Sequence, residues 1–166
     1  MALVKKKQRL ITIDPSINNL GMAIWNISGK ELLYYKLVHP EIGKRKDEYQ
    51  KSLSMLNQIY EYVAEYEVNK MMIEVPEHWA VGGFAARETG SIAKLCFVCG
   101  MLYSLVLHLD EVKLVTPRGW KGQLPKDVVA NRLRDHYVAV GVDLKKIDAN
   151  VADAIEIGHF YLYGSV

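Results

Sequence analysis

A chain of 166 residues, half of them hydrophobic and 24% charged, is long enough for one domain with a substantial core and short for two. Its 21 basic and 19 acidic residues leave a net charge of +2, which permits nucleic-acid binding but leaves local clusters to argue for it. Two cysteines, Cys96 and Cys99, lie in one apolar segment and make no disulfide framework. The basic opening MALVKKKQR leads into an apolar run that already ends at Asp14, so no secretory signal or membrane association is expected, and a reducing, cytoplasm-like compartment follows as the default.

In chain order, residues 9–14 read as a buried strand and residues 20–27 and 31–38 as two more. Turn signals at Pro15-Ser16, Asn18-Asn19 and Ser28-Gly29 keep their connections short and predict an antiparallel meander. Leu53, Leu56, Tyr60 and Val63 recur at helical spacing, so residues 46–68 predict an amphipathic helix. A strand at 70–75 is stopped by Pro76, and a loop at 77–90 carries the pair Gly82-Gly83. Residues 91–108 predict a helix that is apolar almost all round, which requires burial or a partner; Lys94 argues against a membrane span. A short strand at 111–115 precedes the basic loop TPRGWKGQLPK, a helix at 126–137 begun by Pro125, and a last helix from about Asp148 to Tyr163. Three strands followed by helix, strand, helix, strand and two helices predict a mixed α/β sheet with helices packed on its faces.

Three acids fall at or within the ends of these elements. Asp14 closes the run Leu10-Ile11-Thr12-Ile13, Glu74 closes Met71-Met72-Ile73, and Asp153 sits in the amphipathic segment DANVADAIEIGHFYL. A carboxylate at the end of a buried strand is costly unless neutralised or paired. Two such strand ends and one helical carboxylate point to a shared hard cation such as Mg²⁺, the kind of ion used on phosphate substrates. Asn150 lies three residues before Asp153 and shares its helix face. Asp148 reads as the cap of that helix, with Asp148 and Glu156 as reserve ligands. Cys96 and Cys99 read as buried structural cysteines, and His159 as a packing or surface residue.

The order of elements and these acids together resemble the RuvC-type Holliday junction resolvases of the RNase H-like superfamily. The likeness rests on IDPSINNLGMAIW at 13–25, MIEVP at 72–76, AKLCFVCGM at 93–101 and VADAIEIGHFY at 151–161. It implies an α/β fold, an RNase H-like mixed five-stranded sheet with helices on both faces, formed as a single domain across 1–166. It also implies that Asp14, Glu74 and Asp153 bind Mg²⁺, with Mn²⁺ able to substitute, and that Asn150 stands where the family has a fourth acid or a histidine. Ser16 departs from the glycine that commonly follows the first Asp-Pro. The family's junction-probing aromatic falls at Glu77, with Trp79 and Phe84 the nearest aromatics; the longer loop there suggests a viral or organellar branch.

Basic runs occur at Lys5-Lys6-Lys7-Arg9, Lys44-Arg45-Lys46, Arg87, and Arg118 through Lys126. Arg118, Lys121 and Lys126 flank Trp120 and feed a helix N-terminus, where backbone N–H groups and lysines can hold phosphate. Arg118, Lys121, Lys126, Trp79 and Arg87 are therefore the expected DNA contacts. The resulting expectation is a Mg²⁺-dependent endonuclease resolving Holliday junctions or other branched DNA by paired nicks, leaving 5′-phosphate and 3′-hydroxyl ends, as a homodimer paired through the 91–108 helix. A nuclease acting on flaps or RNA–DNA hybrids, and a catalytically inactive DNA-binding protein of the same fold, are the rival readings.

Overall fold

The computed structural model describes residues 7–41, 47–77, 90–105 and 108–166. In chain order the elements are β1 (Arg9–Asp14), β2 (Leu20–Asn26), β3 (Glu31–Val38), α1 (Glu48–Glu65), β4 (Lys70–Glu74), α2 (Ser91–Leu105), β5 (Glu111–Val115), α3 (Pro117–Lys121), α4 (Lys126–Val138) and α5 (Ala149–Tyr163). The strands make one sheet in the order β3-β2-β1-β4-β5. β1, β2 and β3 pair antiparallel, as the short turns predict, whereas β4 lies parallel to β1 and β5 parallel to β4.

The sheet is covered on both faces, which is why its central strands are buried almost without interruption and mostly apolar rather than alternating. Ile11, Ile13, Met22, Ile24, Met71 and Ile73 pack with Met55, Leu56 and Ile59 of α1 and with Val98 and Leu102 of α2. The opposite face, carrying Leu10, Ala23, Trp25 and Met72, packs with Val129, Leu133 and Tyr137 of α4 and Val151, Ile155 and Ile157 of α5. Successive strand residues point to opposite faces. Asp14 and Glu74, each the residue after an isoleucine of the first face, therefore turn toward α5.

Two close approaches seat α5 on the sheet. At Gly158 the Trp25 indole takes the space a Cβ would need, and at Gly21 the carbonyl of Asn150 does the same. Thr12 completes the fit: its hydroxyl donates to the Ala154 carbonyl at 2.6 Å and accepts from the Trp25 indole N–H at 3.1 Å. These contacts fix the helix along β1 and bring Asp153, the neighbour of Ala154, beside Asp14.

Three details differ from expectation. The basic loop after β5 contains a helical turn, because Thr116 caps it by accepting from the Gly119 N–H at 3.1 Å and Pro117 supplies a preset first position. Helix α1 ends at Glu65, with Glu67 in the left-handed region at φ 52°. Cys96 is exposed while Cys99 is buried, since α2 directs only one side onto the sheet. As expected, Asp148 caps α5 and His159 packs, stacking on Tyr163 with ring centroids 4.4 Å apart. No helix among the described residues is long and apolar enough to cross a membrane.

Candidate metal centre and nucleic-acid interface

Parallel pairing of β1 with β4 in the register Ile13↔Ile73 carries the next residues, Asp14 and Glu74, to the same end of adjacent strands. Asp153, one turn into α5, is buried against them. Asp14 is 8% exposed, and burial, followed by the charges of Glu74 and Asp153, pushes its carboxyl up to about 8 against the opposing pull of Lys126 and Lys121. Burial also raises Glu74, with Asp153 adding to it, while a 2.6 Å hydrogen bond from the Trp120 indole N–H and the two lysines act the other way. Three carboxylates in one buried corner thus repel one another and call for positive charge.

Lys126 supplies part of it. Its ammonium forms an ion pair with Asp153, and although burial disfavours the charge, that bond and the nearby Asp14 and Glu74 hold Lys126 above its usual range. Lys121 lies over the Trp120 ring with its ammonium 4.7 Å from the centroid. Arg118 begins the same helical turn, its backbone N–H donating to the Glu77 carboxylate at 2.8 Å. The expected phosphate-binding segment is therefore drawn against the acids, and Lys126 faces a carboxylate here.

Asn150 is anchored from both its backbone and its side chain. Its backbone N–H donates to Asp148 and its side-chain amide N–H donates to the Asn19 carbonyl, each at 2.9 Å. Glu156, 1% exposed on α5, has an Oε2 without a hydrogen-bond partner among the described residues. Burial first, then Asp153, raises its carboxyl to about 8. Trp79 and Arg87, together with His78 and Phe84, lie outside the described residues.

Trp120 has a place beside these acids that the sequence does not announce. It is 3% exposed, and its indole N–H holds Glu74. The Thr-Pro cap four residues earlier is the available signal, since it starts a helical turn and turns the tryptophan inward.

A depression of about 350 Å³ opens at Asp14, lined also by Pro15, Ser16, Ser91, Lys126 and Asn150 among others. Among the described residues no three His, Cys, Asp or Glu side chains are arranged to enclose a metal ion. The donor chemistry nonetheless fits a hard dication: the cluster offers carboxylate oxygens, is short of positive charge, and includes the orphaned buried oxygen of Glu156.

No protein-family profile and no curated protein matches the sequence. Solved structures do match. Thermus thermophilus RuvC in complex with a Holliday junction substrate superposes with a TM-score of 0.69 at 17% identity, covering 93% of this chain and 94% of that one. The yeast mitochondrial Holliday junction resolvase Ydc2 gives 0.61 at 11% identity, covering 97% and 82% respectively. Fowlpox virus resolvase, solved with Holliday junction DNA, gives 0.53 at 13% identity, covering 95% and 98%. The chain has the RNase H-like fold that these resolvases share, and the likeness extends along nearly its whole length.

Proposed function

We propose that this protein is a divalent-metal-dependent endonuclease that nicks branched DNA, Holliday junctions foremost, as a two-fold dimer. The observation that carries the reading is the convergence of Asp14, Glu74 and Asp153 at one buried corner, where burial and mutual repulsion raise Asp14 to about 8. Resolvases of the same fold, solved with junction DNA, support the substrate class.

Asp14, Glu74 and Asp153 would hold Mg²⁺ or Mn²⁺. When bound, the ion would acidify a water and stabilise charge on the phosphodiester oxygens. The chain's own groups do the rest. Trp120 orients Glu74 through its indole N–H. Lys126 keeps Asp153 neutralised before substrate arrives, and its ammonium can turn to a phosphate once a dication takes over that carboxylate. Arg118 and Lys121 on the α3 turn add phosphate contacts at the rim. No protein nucleophile is needed, which agrees with Cys99 being buried and its thiol pushed up to about 12 by desolvation.

The second reading, a catalytically silent DNA-binding protein, is favoured by one observation: Asn150 offers no negative charge and its amide nitrogen is committed to Asn19. A cleavage assay on four-way junction, flap and RNA–DNA hybrid substrates, with Mg²⁺, Mn²⁺ or chelator, separates the readings. Metal-dependent paired nicks in the junction are expected. Preferential cutting of flaps or hybrids would reassign the substrate, and binding without cutting in either metal would select the silent protein.

A further inference from the structure

Helix α5 carries two polar side chains spaced three residues to either side of Asp153, Asn150 and Glu156, and residues so spaced share one face. Their surroundings differ. Asn150 sits at the helix start, its amide N–H bonded to the Asn19 carbonyl and its own carbonyl pressed against Gly21, so that it ties α5 to the β1–β2 turn. Glu156 is 1% exposed, and one of its two oxygens has no hydrogen-bond partner among the described residues.

A buried carboxylate oxygen without a partner carries a desolvation cost that packing alone does not recover. Glu156 follows Asp153 by three residues on α5, so the two buried side chains share a helix face. A helical side chain leans toward the N-terminus and covers the turn before its own Cα. Glu156 therefore leans back toward Asp153.

We infer that Glu156 is the fourth carboxylate of the metal centre, and that Asn150 is a strut rather than a ligand. The inference rests on the metal-dependent reading above and deepens it. On this arrangement the fourth acid stands at a buried position one turn beyond Asp153 rather than in the first turn of α5. The net charge available to a pair of ions is retained although Asn150 is neutral.

Mn²⁺ binding to the purified full-length chain, measured by calorimetry without DNA, tests the proposal. Wild type, Asp14→Asn, Glu156→Gln and Asn150→Ala are compared, with thermal melting of each metal-free variant as a check on folding. Glu156→Gln is isosteric and removes the cost of ionising a buried carboxyl, so its metal-free Tm should equal or exceed that of wild type. Its Mn²⁺ affinity should fall on the order of tenfold or more, since even partners outside the ligand set cost that much. Asn150→Ala should lower Tm and leave Mn²⁺ affinity within about twofold. Wild-type affinity in Glu156→Gln, with weakened binding in Asp14→Asn, would overturn the role of Glu156 and leave the metal reading standing. Failure of wild type to bind Mn²⁺, or equal binding by Asp14→Asn, would overturn both. Mn²⁺ soaked into crystals gives an independent readout, because a Glu156 oxygen at about 2–2.5 Å from the anomalous peak is required.

Discussion

Asp14 is the residue on which the proposed chemistry turns, and its environment makes two outcomes measurable. Replacing it with asparagine removes a ligand charge, so cleavage should fall on the order of a hundredfold or more, given that even supporting groups of metal sites cost 10- to 100-fold. Near wild-type cleavage by Asp14→Asn would defeat the assignment. The second outcome concerns pH. Asp14 is raised from an ordinary value of 3.8 to about 8, and Glu156 from 4.5 to about 8. Between those values the folded state holds protons that the unfolded chain has released, so stability falls as pH rises. The contribution of each group is fully present below about 4 and is lost as pH approaches about 8. In chelator, Tm should therefore decline across that window, and the decline should be smaller in Asp14→Asn. Melting followed by circular dichroism decides it; a pH response identical in the two proteins would contradict the picture.

At the scale of elements, the seat of α5 on the sheet and the capped turn of α3 each yield a test. Gly158 lies against the Trp25 indole, which is itself held by Thr12 and packed edge-on to Tyr137 with ring centroids 6.3 Å apart. Gly158→Ala should destabilise the protein by about 1–3 kcal/mol, because a rigid ring rather than a flexible chain end must give way. Chemical denaturation measures this, and an unchanged midpoint would show that α5 is seated less tightly. On α3, Lys121 lies near the acids and Arg118 stands on the same turn beside Glu77. Neutralising both should weaken DNA binding broadly across sequences and reduce the salt slope by roughly 0.9 for each phosphate that the protein no longer neutralises. Lys126 is left out of that pair because its ammonium is held by Asp153. An unchanged salt slope would mark the α3 turn as solvated surface.

Across the whole molecule, α2 presents the largest demand for a partner. Val98, Cys99 and Leu102 face the sheet, while Phe97 and Tyr103 remain 47% and 41% exposed and Tyr49 of α1 lies beside Phe97. The exposed aromatic pair Tyr49 and Phe97 is suited to a second copy of the same face, and a two-fold pairing would present two cutting sites to opposed strands. Sedimentation at micromolar concentration should give a dimer, and Phe97→Asp should give a folded monomer that binds a junction more weakly and loses paired nicking. A wild-type monomer that persists with junction DNA bound would defeat the dimer and weaken the resolvase reading with it.

Sequence by itself determined the elements and their type, because apolar periodicity and turn chemistry are local: all five strands, the long helices and the Asp148 cap were readable to within a few residues. It also singled out Asp14, Glu74 and Asp153, since a charge closing or interrupting an apolar run is conspicuous without coordinates. Tertiary structure alone decided the parallel placing of β4 beside β1, which is a long-range pairing, and with it the meeting of the acids. It also decided the fate of polar groups whose meaning depends on neighbours far along the chain. Trp120 turned inward to Glu74, 46 residues away in sequence, and Lys126 toward Asp153, 27 residues away. Asn150 was drawn to Asn19 across 131 residues, and Glu156, only a reserve ligand by sequence, was left with an oxygen that has no partner among the described residues. A hydrogen bond is set by distance and direction in space, and a one-dimensional pattern carries neither.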